Sequence, residues 1–324
     1  MQRTAGLTRM VTTSTCALII PVFNDRNSCA VLLRQIAALF KGQDWRICVI
    51  DDGSTSESPS LSDLIELGLT GVILRLPHNM GHQTAIACGI GYVAANWPGR
   101  TAVIMDSDGE DRPEAVPTLL LHVEQNELCA VVAERRQRTE SLRFRVFYLI
   151  YKALFRVLTG QTVDFGNFMV LSWPALNRLA SMHQIWLHLP AALVASRIPR
   201  KNVPTARGKR YAGESRMNFI SLSVHGMRAL MVFVETVLMR VIVGTVALMT
   251  LWALLAMMAL GLKFSGNASP GWLTTIVGLL AVMVVQTLGV FAALLILAGT
   301  GRRQILLDAS KSYLQSVASV ETTP

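Results

Sequence analysis

Apolar and polar positions along the chain fall into two regimes. Up to about residue 217, short β-rich apolar runs at residues 17–22, 46–50, 72–76, 102–105 and 130–133 alternate with stretches of helical spacing. Between the first two runs, Val31, Leu32, Leu33, Ile36, Ala37, Leu39 and Phe40 form a stripe of 3.6-residue period, which predicts a helix laid on a parallel sheet. Residues 81–95, rich in Ala and Ile, predict another helix. Beyond residue 217 charge nearly vanishes until Arg302. Segments 241–262 and 272–299 carry no charged residue, and each reaches the roughly 20 residues that span a bilayer core. Separated only by residues 263–271, they predict a transmembrane hairpin. Just before it, Ile220, Val224, Met227, Met231, Val234 and Leu238 recur at helical spacing. That stripe fits a helix lying on the membrane interface or packed on the soluble domain; Arg228 and Arg240 favour the interface. The expected organisation is an α/β domain over 1–217, an amphipathic helix over 218–240, a two-helix hairpin over 241–301 and a tail over 302–324.

Composition agrees with the membrane reading: 52% of residues are hydrophobic and the mean hydropathy is +0.42. The net charge of +9 is carried largely between residues 135 and 240, beside the apolar segments. Without interleaved aromatic residues, that placement suits anionic headgroups and phosphorylated substrates, not nucleic acid. Arg216, Arg228 and Arg240 precede the first span and Arg302, Arg303 and Lys311 follow the second, whereas the connecting loop holds only Lys263. The expected location is therefore the inner membrane, with the α/β domain and both termini cytoplasmic. The run at 17–22 is too short for a signal sequence and contains Pro21, so no cleaved leader is expected. Five cysteines, Cys16, Cys29, Cys48, Cys88 and Cys129, lack metal-binding spacing and read as reduced, mostly buried hydrophobes. Gly244, Ala247, Ala253 and Ala256 offer small surfaces through which the spans could pack into a homo-oligomer.

Open parallel sheets bind ligands beyond the carboxyl ends of their strands. Here those ends carry Asn24-Asp25, Asp51-Asp52-Gly53-Ser54, His78-Asn79 and Asp106-Ser107-Asp108. Each alone could be a turn or cap, since Asp, Asn, Ser and Gly favour such positions. Four in succession point to one polar crevice. Asp106 and Asp108, followed by Glu110, Asp111 and Glu114, can aim several carboxylates at a hard divalent cation. A capped helix start explains Glu114 after Pro113. Neither a G-x-x-x-x-G-K-[ST] loop nor a G-x-S-x-G elbow occurs, which removes the phosphate-loop and acyl-hydrolase classes.

These stretches resemble the family 2 glycosyltransferases of GT-A fold, within them the polyisoprenyl-phosphate glycosyltransferases. Ile19-Ile20-Pro21-Val22-Phe23-Asn24-Asp25 is similar to the family's I-P-x-x-N-E, and Val49-Ile50-Asp51-Asp52-Gly53-Ser54 to its V-D-D-G-S. His78-Asn79-Met80-Gly81 is near R-N-x-G, and Asp106-Ser107-Asp108-Gly109-Glu110-Asp111-Arg112-Pro113-Glu114 near D-A-D-L-Q-x-P-P-E. Arg207, Arg210, Gly213, Ser215 and Arg216 follow its R-x-x-R-x-x-G-x-S-K. The resemblance implies a Rossmann-like GT-A domain binding a UDP- or GDP-sugar, with Pro21, Asn24, Asp25, Asp51 and Asp52 at the nucleoside and Asp106 near the ribose. It implies Mg2+ or Mn2+ on Asp108, with Glu110 a candidate second ligand, and Arg207, Arg210 and Ser215 on the phosphates of donor or lipid. Asp25 stands where the family has Glu, His78 where it has Arg, and Glu110 where it often has Gln.

A polyisoprenyl phosphate is an anion at neutral pH, so its oxygen can attack an anomeric carbon without a strong base, and single-displacement inversion is the expected course. The rivals are transfer to another lipid or polysaccharide acceptor and a non-catalytic membrane scaffold that keeps a nucleotide-binding fold. A processive synthase would carry Q-x-x-R-W, which Gln184-Ile185-Trp186 does not supply.

Overall fold

The computed structural model describes residues 15–123, 127–135, 142–212, 219–265, 271–301 and 308–324. Its first compact unit is built on an eight-stranded mixed sheet, and a second unit gathers residues 150–160, 233–265 and 271–301.

The described residues begin with β1 (Cys16–Val22), α1 (Arg26–Leu39), β2 (Trp45–Asp51), α2 (Leu61–Ile65), β3 (Thr70–Arg75), α3 (His82–Asn96) and β4 (Thr101–Ile104). Strands β1 to β4 are mutually parallel, β1 lying between β2 and β4. This is the α/β alternation that the apolar runs predict. After α4 (Val116–Leu120) come β5 (Ala130–Arg135), α5 (Leu142–Thr159), β6 (Met169–Leu171), α6 (Trp173–Ala180), α7 (Leu189–Ala195) and β7 (Arg200–Thr205). Strand β6 runs antiparallel to both β4 and β5, and β7 is parallel to β5, so the sheet is mixed.

Strand side chains alternate between faces. On one face Ile19, Ile50 and Leu74 bury against Ile86 and Ile90 of α3; on the other Leu18, Ile20 and Ile47 bury against Leu32, Leu33 and Ile36 of α1. Gly89 allows α3 to lie close to the sheet, because a Cβ there would come within 2.6 Å of Ile19 Cγ2 and 2.7 Å of Ile50 Cδ1. All five cysteines are free, and four of them are buried.

The amphipathic stripe differs from the single element expected over 218–240. It divides into α8 (Phe219–Met231), in the first unit, and α9 (Val234–Phe264), in the second. Phe233 leaves helical geometry at φ −107° and packs its ring edge-to-face on Phe155 of α5. The first apolar helix thus starts earlier than its uncharged stretch, taking in Glu235 and Arg240. Arg240 donates to the carbonyl of Val157 at 2.6 Å, which satisfies one of the last backbone acceptors of α5. With α10 (Trp272–Gly301), α9 makes two helices long and apolar enough to cross a membrane, each with mean hydropathy 2.3 over its best window.

The segment expected to be a plain tail is part of the fold from Asp308 onward. Helix α11 (Ala309–Ser316) packs on α3, and β8 (Ser319–Thr322) pairs antiparallel with β3 to form the edge of the sheet. Tyr313 meets Tyr92 edge-to-face and takes a hydrogen bond from Asn96 Nδ2. Gly91 makes room for the Ala309 carbonyl, which a Cβ would approach to 2.3 Å.

Candidate active site

Strands β1 to β4 end on one side of the sheet, and the polar residues beyond them meet there. Two adjoining cavities lie at these ends. One, of about 360 Å3, is walled by Phe23, Asp51, Ser54, Arg75 and His78, among others. The second, of about 180 Å3, is bounded by Pro21, Phe23, Asp52, Asn79 and His82.

Several residues with site roles implied by the sequence also hold these loops in shape. Asn24, at φ 48°, accepts the Thr55 and Ser56 N–H groups on its Oδ1 at 2.9 and 3.0 Å. Asp25 caps α1 by accepting the Ser28 N–H. Asp52, almost wholly buried, accepts the N–H groups of Met80 at 2.7 Å and Gly81 at 3.0 Å, tying the end of β2 to the start of α3. Burial pushes the Asp52 carboxyl up, against the pull of those two donors. Gly53 is held at φ +69° with the His78 backbone 2.2 Å from where its Cβ would be, so only glycine fits. Asp51 accepts Ser54 N–H on Oδ1, and Ser58 Oγ and Arg75 Nη1 on Oδ2.

The acidic run after β4 is a tight loop. Asp111 Oδ2 accepts the Asp106 N–H, and Asp108 Oδ1 accepts the Glu110 N–H. Pro113 starts a short 3-10 turn with Glu114 in it, consistent with the helix-start role expected of Glu114. Against this loop lies the segment of Arg207 and Arg210, about a hundred residues further along the chain. The Gly208 N–H donates to the Glu110 carbonyl and the Tyr211 N–H to the Asp108 carbonyl, both at 2.9 Å. Arg207 Nη2 then reaches Glu110 Oε2 at 2.5 Å, while Arg210 bridges Asp108 Oδ2 at 2.9 Å and Glu110 Oε1 at 3.0 Å. The structure thus brings together Asp108, Glu110, Arg207 and Arg210; Ser215 lies outside the described residues.

The electrostatics follow from this crowding. Burial raises the Asp108 carboxyl, and the neighbouring Asp106 and Glu110 charges raise it further, against the Glu110 N–H it accepts and against Arg210. Burial would raise Glu110 too, but the two guanidinium groups outweigh it and hold its carboxyl below the ordinary value. Such paired forks both neutralise the carboxylates and hold the two loops at a fixed spacing.

Three contributors escape the sequence reading. His82, the first residue of α3, is half exposed and reaches Asp106 Oδ1 at 3.2 Å; partial desolvation lowers its pKa, Asp106 and Asp52 raise it by more, and the imidazole ends above its ordinary value. Asn167 Nδ2 stands 3.0 Å from the same ring. Arg75 closes the larger cavity beside Asp51. His82 and Arg75 flank the His78-Asn79 stretch, so extending the strand-end rule by a few residues finds both.

Comparison with known proteins agrees with this architecture. The glycosyl transferase family 2 model matches residues 17–186, from β1 through the turn after α6. The undecaprenyl-phosphate 4-deoxy-4-formamido-L-arabinose transferase of Enterobacter sp. (strain 638) is 29% identical over 215 residues, 64% of this chain and 63% of that protein. Its counterpart in Salmonella paratyphi A is 25% identical over 216 residues with the same coverage. The match therefore spans about 63% of the length of these curated relatives. Among solved structures, glucosyl-3-phosphoglycerate synthase from Mycobacterium tuberculosis in complex with Mn2+, UDP and phosphoglyceric acid superposes with a TM-score of 0.51 at 16% identity, covering 72% of this chain and 82% of that one. The fold, the order of the strand-end motifs and the family model agree: the chain belongs to glycosyl transferase family 2.

Proposed function

We propose that the chain transfers a sugar from a UDP- or GDP-sugar to a polyisoprenyl phosphate, with inversion, at the cytoplasmic face of the inner membrane. The observation that carries this reading is the convergence of Asp108 and Glu110, beyond the carboxyl end of β4, with Arg207 and Arg210. The undecaprenyl-phosphate transferases named above supply the acceptor class. Support for a membrane setting comes from connectivity. Residues 232 and 308, on either side of the apolar helices, both belong to the first unit, so any bilayer crossings between them are even in number.

The carboxylates suit a divalent cation. Mg2+ and Mn2+ prefer hard oxygen donors, and Mg2+ is commonly held by one or two carboxylates together with substrate phosphates. Among the described residues no group of three or more His, Cys, Asp or Glu side chains is placed to hold a metal ion by itself. Asp108 would hold it, and Glu110 could join only by releasing Arg207 and Arg210. Bound there, the cation supplies charge neutralisation on the departing nucleoside diphosphate. The nucleoside occupies the cavities beside Asp51 and Pro21. Arg207 and Arg210, once drawn off the carboxylates, are forks suited to donor or lipid phosphates. The lipid phosphate oxygen attacks the anomeric carbon as the bond to the diphosphate breaks, and no side chain needs to remove a proton.

The test uses full-length protein in lipid nanodiscs with a panel of UDP- and GDP-sugars and undecaprenyl phosphate, product being detected by mass spectrometry. A glycolipid forms with the wild type. Asp108→Asn lowers turnover by about a hundredfold or more and abolishes the metal dependence of nucleotide binding in calorimetry. No glycolipid from any donor, or a fully active Asp108→Asn, refutes the proposal.

A further inference from the structure

The C-terminal strand brings an acidic residue to the donor cleft. Glu321 on β8 accepts Arg75 Nη2 on Oε2 at 3.1 Å and Arg75 Nε on Oε1. The other Arg75 donors go to Asp51 Oδ2 at 2.9 Å, Ser58 Oγ at 2.6 Å and the Pro59 carbonyl at 3.1 Å. A guanidinium has five N–H groups. All are accounted for by these partners, so Arg75 is a fixed wall of the 360 Å3 cavity with no donor left to turn toward a ligand. Its position is defined from two sides, by Asp51 and by Glu321.

We infer that Glu321 is a positioning residue for the donor's nucleobase: by clamping Arg75 it keeps Asp51 and the cavity wall in the arrangement that receives the base. The inference rests on the proposed binding of a nucleotide sugar in this cleft. Register makes the arrangement specific. Glu321 stands opposite Ile73 and is thus the diagonal neighbour of Arg75 on the same face, within reach of long side chains. A slip of one residue would turn Glu321 to the other face. The register is pinned at both ends: the Ala318 N–H donates to the Arg75 carbonyl at 2.8 Å, while Thr323 exchanges two 3.0 Å bonds with the Gly71 backbone, one through Oγ1. The charge balance follows. Asp51 and Glu321 flank one guanidinium; losing the Glu321 charge leaves Asp51 as the carboxylate on Arg75, beside the neutral acceptors Ser58 Oγ and the Pro59 carbonyl, and draws that carboxylate further from a base N–H.

The experiment compares full-length wild type, Glu321→Gln and Thr323→Ala in nanodiscs, reading KM for donor, KM for lipid, kcat and melting temperature. Glu321→Gln raises donor KM about tenfold, the size of effect one charge-assisted pair supports, while kcat and lipid KM stay within twofold. Thr323→Ala removes one strand anchor without touching Arg75, and lowers the melting temperature with donor KM unchanged. An unchanged donor KM in Glu321→Gln, a fall in kcat instead, or an equal KM rise in Thr323→Ala overturns the inference. Should the wild type make no glycolipid, the functional proposal fails separately. UDP and GDP titrations then decide: weaker binding by Glu321→Gln upholds the positioning role, and equal binding, or none by the wild type, overturns it.

Discussion

Replacing Gly208 by alanine probes the junction on which the proposed chemistry depends. A Cβ at this position would lie 2.0 Å from the Gly109 carbonyl oxygen and 3.1 Å from Arg112 Cγ. The nearer partner is backbone, in a loop already held by the Asp111 and Asp108 side chains, so no rotamer change relieves the clash. The two segments must separate by about 1 Å before the contact reaches the 3.0 Å that real Cβ atoms tolerate. At that separation the 2.9 Å bond from Gly208 N–H to the Glu110 carbonyl is lost, since a donor nearly 4 Å from its acceptor no longer bonds. The neighbouring Tyr211 bond stretches with it, for a combined loss of about 2 kcal/mol of local stability. Arg207 and Arg210 ride on the same segment and move away from Asp108 and Glu110. Displacing a catalytic constellation by about 1 Å can lower rates a hundredfold, so kcat/KM for glycolipid formation should fall by roughly that factor. The nucleoside cavities are built from other loops, and affinity for the bare nucleoside, uridine or guanosine, should therefore change less than threefold by calorimetry. A Gly208→Ala enzyme with kcat/KM within threefold of wild type would show that the contact between the acidic loop and the arginine segment is not needed for turnover.

Two further predictions concern the scaffold. His188 caps α7 by accepting the Ala191 N–H on Nδ1, and its Nε2 meets His225 Nε2 at 2.9 Å; burial, then His225, then Arg228 push its pKa down to about 3. Below the ordinary histidine value of about 6.5 the unfolded chain binds a proton that the folded chain refuses, so stability falls as pH drops, by about 2 kcal/mol between pH 7 and pH 5. His188→Asn keeps a capping acceptor but cannot titrate, and the melting temperature should lose less between pH 7 and pH 5 than in the wild type; an identical loss refutes this. Gly91→Ala forces the Ala309 carbonyl back from 2.3 Å, and should loosen α11 and β8, seen as faster hydrogen exchange at residues 319–322; unchanged exchange would mean that the close helix contact is not what seats the C-terminal segment.

The parts of the fold legible in the sequence are those whose signal is local. Strands β1 to β4 are buried on both faces and read as continuous apolar runs, and α3 shows itself through small and branched residues at helical spacing. Strands β6, β7 and β8 were not legible. Met169–Leu171 is too short to carry a period, Arg200–Thr205 buries only Val203, and Ser319–Thr322 is largely exposed. These strands exist because a partner edge accepts them, and propensity in so short a segment is easily overridden by such pairing.

The same distinction separates the site residues. Asp108, Glu110, Arg207 and Arg210 stand out because carboxylates after a buried strand and guanidinium groups before an apolar segment are chemically conspicuous. Asn24, Asp25 and Asp52 look equally conspicuous, yet their side chains bond loop and helix backbone, the alternative that composition at strand ends always leaves open. What no local pattern could disclose is a partnership such as Asp51, Arg75 and Glu321, whose last link joins residues 246 positions apart. It requires the chain to traverse both apolar helices and return to the sheet it left. Charge pairing of this kind follows from topology: it becomes predictable only when β8 is known to lie beside β3, and Glu321 of β8 then supplies acceptors for the two of five Arg75 N–H groups that Asp51, Ser58 and Pro59 leave unmet at the strand-end cavity.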